Sequence, residues 1–138
     1  MTTRTQAFSP ENQDKLLFWL VENYPVDQFF SVEREQVRQV LPDVPDDVIN
    51  AMFRMFEDLQ LISHLGISMY HYDFVLLWRA VQLARNGGFR AKQKILEMEL
   101  AKLENQVRAL QKTMPERVGG ILDALSKISE ILRFMFGA

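Results

Sequence analysis

Asp46-Asp47-Val48-Ile49-Asn50-Ala51-Met52-Phe53-Arg54-Met55-Phe56-Glu57-Asp58-Leu59, followed at once by Gln60-Leu61-Ile62-Ser63-His64-Leu65-Gly66, is where the chain changes its period. In the first run Val48, Ile49, Met52, Phe53, Phe56 and Leu59 recur at helical spacing, so the stretch predicts a helix over residues 46–59 with one inward apolar face. Asp46 and Asp47 fall in its first turn, where the helix dipole favours anions. Past Gln60 the residues become β-branched and aromatic. Leu61–Leu65, the Gly66 turn and Tyr70-His71-Tyr72-Asp73-Phe74-Val75-Leu76 predict a two-stranded hairpin, with residues 76–83 as its overlap with a following helix.

Working back from that junction, Leu41-Pro42-Asp43-Val44-Pro45 forces a turn, because a proline cannot continue a helix interior. Before it, Ser31 reads as the N-cap of a helix through Val32, Val37, Val40 and Leu41. Residues 27–30 read as a short connector whose phenylalanines, Phe29 and Phe30, plug the core. Earlier still, Ser9-Pro10-Glu11-Asn12 is a helix start, with Ser9 as N-cap and Pro10 at the first helical position. Leu16, Leu17, Trp19, Leu20 and Val21 form its apolar stripe, and Asn23-Tyr24-Pro25 ends it. Working forward, residues 79–85 read as a helix stopped by Asn86-Gly87-Gly88.

Three helices, the last two joined by a tight turn, and then a β-hairpin is the order of a winged helix-turn-helix. Two runs strengthen that reading. Phe56-Glu57-Asp58-Leu59-Gln60-Leu61-Ile62 and Ala80-Val81-Gln82-Leu83-Ala84-Arg85-Asn86-Gly87-Gly88-Phe89 resemble small bacterial winged-helix proteins of a Bacteroidetes type that carry a helical tail. The resemblance covers about residues 9–89, with Leu77-Trp78-Arg79-Ala80 standing where such proteins have Thr-Pro-Glu-Gly. It implies a fold more than a function, since winged helices serve both as DNA readers and as protein-docking modules.

From Phe89 no glycine or proline occurs until Pro115. Leu96, Leu100, Leu103, Val107, Leu110 and Met114 recur at alternating steps of four and three, and Phe89 and Gln93 extend the register backwards. Val118, Ile121, Leu125, Ile128, Leu132 and Met135 form a second seam. The register breaks at Pro115, and Thr113-Met114-Pro115-Glu116 fits a capping box with Thr113 as N-cap. The expected class is therefore mainly α: a winged-helix domain over residues 1–88, then an oligomerisation tail over residues 89–138. The tail consists of helices 89–114 and 115–136, paired as a coiled coil or a helical hairpin. Gly119-Gly120 would soften the second helix and allow a close approach. A lone helix cannot bury such a seam and needs a partner, so the expected partner is a second copy of the chain.

Composition narrows the function. The 138-residue chain contains no cysteine, which excludes disulfides and thiolate metal sites. Leu16-Leu17-Phe18-Trp19-Leu20-Val21 is too short, and follows Glu11 and Asp14 too closely, for a secretory leader, so a cytoplasmic protein is expected. His64 and His71 stand alone in the hairpin without the three or four converging ligands that a metal needs. No phosphate loop, dinucleotide turn or nucleophile–base pair occurs, so no cofactor and no catalysis are expected.

Charge is lopsided. Residues 1–73 hold 5 Lys/Arg against 12 Asp/Glu, a net −7, while residues 74–138 hold 11 against 6, a net +5. The outward positions of helix 46–59 are Asp47, Asn50, Ala51, Arg54, Glu57 and Asp58, of which only Asn50 and Arg54 suit a DNA groove. Residues 64–71 contain no Lys or Arg to neutralise phosphates. Arg79, Arg85, Arg90, Lys92 and Lys94 fall within sixteen positions free of acids, a candidate patch for nucleic acid or for an acidic partner. In residues 118–138 Asp123, Lys127, Glu130 and Arg133 cancel, and Phe134-Met135-Phe136 closes the run. Membrane-surface helices carry a basic face, so a partner helix is favoured. The expected function is a non-enzymatic interaction or regulatory protein that self-associates and contacts another protein. The alternatives are a dimeric DNA-binding regulator and an effector with a membrane-active C-terminal helix.

Overall fold

Phe29-Phe30-Ser31-Val32-Glu33 alternates outward and inward positions, and in the computed structural model it is a strand, β1 (Phe29–Glu33). The model describes residues 3–136, with the side chains of residues 5, 117 and 132–136 outside the described set. The expected N-cap at Ser31 is thereby overturned. Its hydroxyl instead donates to Asp73 Oδ1 across the sheet at 2.7 Å. The helix that follows, α3 (Arg34–Val40), starts three residues later behind Glu33, which makes no side-chain cap bond. Val32 thus belongs to the sheet and not to the helix. Of the two phenylalanines, Phe30 packs against the core while Phe29 is exposed.

Ahead of β1 lie a short turn of helix, α1 (Arg4–Ala7), and α2 (Pro10–Asn23). Ser9 caps α2 by accepting from the Asn12 amide at 3.2 Å, and Pro10 holds the first helical position. Leu16, Leu17 and Leu20 are fully buried, with Trp19 and Val21 packed at the margin. After α3 the Leu41–Pro45 turn leads into α4 (Asp46–Asp58), which buries Val48, Ile49, Met52, Phe53 and Phe56. Leu59, expected on that inward face, is exposed because the helix ends at Asp58 and Gln60 swings to a positive φ.

β2 (Ile62–Ile67) and β3 (His71–Leu76) complete an antiparallel sheet of order β1-β3-β2. Phe30 lies opposite Phe74 and Val32 opposite Tyr72, so the period of two places Tyr72, Phe74 and Leu76 on the buried face. Between Ser63 and Gly66 the β2–β3 register shifts, and His64 takes φ 55° there. Leu76, read as a possible helix start, ends the strand. Leu77 then leads into α5 (Trp78–Arg85).

Phe53 stacks on Tyr72 at 4.2 Å between centroids, and Phe56 stacks on Phe89 at 5.6 Å. Phe89 is therefore a core residue of the N-terminal unit and not the first rung of the tail seam. Full burial of one such ring contributes about 1.5–3 kcal/mol.

The chain divides into compact units Met1–Arg90 and Ala91–Ala138, a boundary two residues beyond the expected one. The reason is local. Phe89 enters the core, and the amides of Phe89 and Arg90 are held by Asp14.

In the second unit, helices α6 (Gly88–Leu110) and α7 (Pro115–Phe136) flank a short turn. Val107, Val118 and Leu125 are buried together, with Leu100 and Leu122 against them, and Ser129 Oγ donates to Glu104 Oε1 at 3.3 Å. With only a short turn between α6 and α7, that contact makes the helices antiparallel. The break falls at Pro115, but Thr113 does not cap α7: its hydroxyl donates back to the Leu110 carbonyl at 3.0 Å. No described helix is long and apolar enough to cross a membrane.

Candidate interaction surfaces

Three of the four acids of α4 are engaged by neighbouring groups. Asp46 binds the Arg38 guanidinium through both oxygens, at 3.1 and 2.8 Å, and Arg38 also reaches Glu35 at 3.1 Å. The Arg38 hydrogen bonds hold the Asp46 carboxyl below the ordinary carboxylate range. Asp47 pairs with Arg4 at 3.0 Å, and Glu57 Oε2 accepts the Leu65 amide at 2.8 Å. Asn50 is half-buried, and its Oδ1 accepts the Tyr72 hydroxyl, so one end of that amide is turned into the fold. Arg54 is exposed.

The hairpin tip between β2 and β3 is apolar. Met69 and Tyr70 are 75% and 70% exposed, and with Glu33, Arg34, Glu35, Arg38 and His71 they line a cleft of about 400 Å³. Arg34 is drawn inward there, donating to the Ser68 carbonyl at 2.8 Å with its guanidinium over the Tyr72 ring. His64 Nδ1 faces Ser63 Oγ at 3.0 Å, and His71 lies in β3 opposite Glu33. Among the described residues no group of three His, Asp or Glu side chains converges.

Of the five basic residues counted together in the sequence, Arg79, Arg85 and Arg90 lie in the first unit. Arg79 donates to Gln60 Oε1 at 2.9 Å, and Arg90 pairs with Glu11 at 3.5 Å. Arg85 stands at the rim of a cleft of about 610 Å³ lined by α2 and α5. Lys92 and Lys94 belong to the second unit, where both are exposed.

That cleft was not foreseen from the sequence. Phe18, Val21, Tyr24, Val26, Trp78 and Val81 line it, with Glu22 and Arg85 as its charged members. The available signal was the apolar width of α2. Phe18 and Val21 lie outside the stripe of Leu16, Leu17 and Leu20 that the core consumes, and Trp78 is left 55% exposed. Burial raises the Tyr24 phenol above its ordinary value.

A buried polar contact sits where α6 begins. Asp14, on α2, accepts the amides of Phe89 at 2.6 Å and Arg90 at 3.2 Å, so a residue distant in sequence caps α6. Gly88 makes this possible. Its φ is +79°, and a Cβ there would lie 2.3 Å from Asp14 Oδ1.

On the second unit, the expected seam splits. Val107, Val118 and Leu125 are buried and Leu100 is partly so, whereas Leu96, Leu103, Leu110, Met114, Ile121 and Ile128 stay 36–52% exposed. Leu132 and Met135, and the Phe134-Met135-Phe136 ending, have side chains outside the described residues. Gly119 and Gly120 would meet nothing within 4 Å if they carried a Cβ, so within the hairpin they serve no close approach. Comparison of the chain with protein-family models, curated proteins and solved structures finds no match.

Proposed function

We propose that the N-terminal unit is a winged helix-turn-helix head that docks on protein rather than reading DNA. Its C-terminal hairpin brings copies of the chain together, and the whole acts as a non-enzymatic regulatory module in the cytoplasm. In this reading α3 and α4 are the helix-turn-helix pair and β2–β3 is the wing. The resemblance to small bacterial winged-helix proteins with helical tails fits the same order of elements.

The observation that carries the proposal is the state of the surface that would face DNA. Asp46, Asp47 and Glu57 lie along α4, Asn50 is committed to Tyr72, and the wing ends in Met69 and Tyr70. Phosphates would have to displace carboxylates from Arg4 and Arg38 beside the helix, and would meet a methionine at the wing. An exposed aromatic and a methionine are instead what protein interfaces enrich.

The test is fluorescence anisotropy of labelled duplex DNA with the full chain, titrated across salt. Little binding at 150 mM salt is expected. Tight binding with a steep salt slope, lost in Arg85→Glu with Arg90→Glu, would establish the DNA-binding regulator in its place.

A further inference from the structure

The exposed half of the tail seam is arranged as one surface, and we infer that a second copy of this hairpin covers it, closing a four-helix bundle. This rests on the self-association proposed above and specifies its contact.

The inward residues of α6, Leu100 and Val107, repeat every seven positions. Leu103 and Leu110 follow them by three residues, which turns them about 60° around the helix axis at 3.6 residues per turn. In α7 the same step leads from Val118 to Ile121 and from Leu125 to Ile128. Because the two helices run antiparallel, an equal rotation about each axis brings both rows to the same side of the hairpin. Leu96, Leu103 and Leu110 thus lie beside Ile121 and Ile128, with each row keeping the seven-residue repeat that knobs-into-holes packing requires.

Size and chemistry both favour a like partner. Ala91 to Leu110 gives α6 a length of about 30 Å, and two helices side by side are about 20 Å wide. The face is then about 600 Å² per copy. Pairing it buries about 1,200 Å² in total, the lower bound for a stable specific interface. The rows themselves are apolar throughout, so their pairing brings no charge into the seam; exposed Glu99, three residues after Leu96 and four before Leu103, flanks the α6 row. A membrane surface would call for flanking cations in excess, whereas Asp123, Lys127, Glu130 and Arg133 cancel along α7.

The test is sedimentation velocity of the full chain at 20–100 μM as an order of magnitude, with helix content followed by circular dichroism. The wild type should run at twice the 16.1 kDa chain mass. Leu103→Gln with Ile121→Gln and Ile128→Gln should run at the single mass with unchanged helix content, because Val107, Val118 and Leu125 still close the hairpin. Should the glutamines cost helix content, Leu103→Ala with Ile121→Ala keeps the helices intact and should weaken the dimer at least tenfold. A monomeric wild type would overturn both this inference and the self-association beneath it. A wild-type dimer insensitive to both variants, or a wild type larger than a dimer, would overturn only the face assigned here. Co-sedimentation with phosphatidylserine vesicles in place of dimerisation would also sink it.

Discussion

Gly88→Ala is the substitution whose cost can be worked most directly from geometry. Gly88 sits at φ +79°, a region costing an L-residue roughly 1–2 kcal/mol. The new Cβ would stand 2.3 Å from Asp14 Oδ1, 2.8 Å from its carboxyl carbon and 3.1 Å from Oδ2, so the whole carboxylate must withdraw. Asp14 is 6% exposed, which leaves little room and little water to replace what is lost. Withdrawal weakens the 2.6 Å bond from the Phe89 amide first, and a hydrogen bond to a charged group contributes about 1.5–3 kcal/mol. Together the two effects predict a loss of about 2.5–5 kcal/mol, a large share of the stability of a small domain. The assay is urea unfolding followed by tryptophan fluorescence, since Trp19 and Trp78 both report on the N-terminal unit. A double-mutant cycle separates the causes. In an Asp14→Ala background the clash partner is gone, and Gly88→Ala should cost only the backbone strain of about 1–2 kcal/mol. A penalty below about 1 kcal/mol in the wild-type background, or the same penalty in both backgrounds, would refute the clash with Asp14 as the cause.

Two further outcomes follow from named contacts. Burial pushes the Asp14 carboxyl above its ordinary 3.8, against the lowering pull of the Phe89 and Arg90 amides and of the Arg90 charge. The folded state then holds the proton to higher pH than the unfolded chain, so this contribution is fully present below 3.8 and is lost as pH rises through the raised value. The stability of wild type minus Asp14→Asn, from urea midpoints at stepped pH, should therefore fall as pH climbs above 3.8; a difference that rises would contradict the burial. Gly119→Ala places a methyl where nothing lies within 4 Å, and should raise hairpin stability by about 0.8–1 kcal/mol in a thermal melt read by circular dichroism. A loss would mean that a neighbouring copy approaches there.

Local signals were legible and long-range ones were not. The Ser9 cap, the inward face of α4 and the break at Pro115 each follow from residues within a few positions of one another. β1 was hidden because its five residues carry little pattern, and its partner strand lies about forty residues away, with Ser31 meeting Asp73. Ser31 looked like a cap because a serine before a helical period usually is one; here the sheet captured its hydroxyl. Phe89 fits the tail heptads and the core ring stack equally well in sequence. Only the fold makes the choice, through Asp14. The contacts of the basic run were hidden for a similar reason: Arg79, Arg85 and Arg90 are near in sequence, yet they meet Gln60, the Trp78 cleft and Glu11.

The heptad pattern of the tail carried more information than a single seam, and that bears on what the tail is for. A hairpin that needed only to close on itself would require Leu100, Val107, Val118, Leu122 and Leu125, with polar residues elsewhere. Leu96, Leu103, Leu110, Ile121 and Ile128 add nothing to that closure, yet they keep strict seven-residue spacing on both helices. Apolar residues left in water do not stabilise the folded chain relative to the unfolded one, and as a contiguous patch they invite aggregation. The head has a different economy. Arg4 and Arg38 pair with three of its acids, and its exposed large apolar groups, Phe29, Leu59, Met69, Tyr70 and Trp78, are spread over β1, the end of α4, the β2–β3 tip and a cleft rim. Such small features suit weak, reversible contacts, whereas the tail face reaches the lower end of stable specific interfaces. That difference predicts an order of events: copies assemble first through the hairpin, and each assembled pair then offers two heads to a partner. Linking heads in this way raises apparent affinity through effective concentration without any new contact.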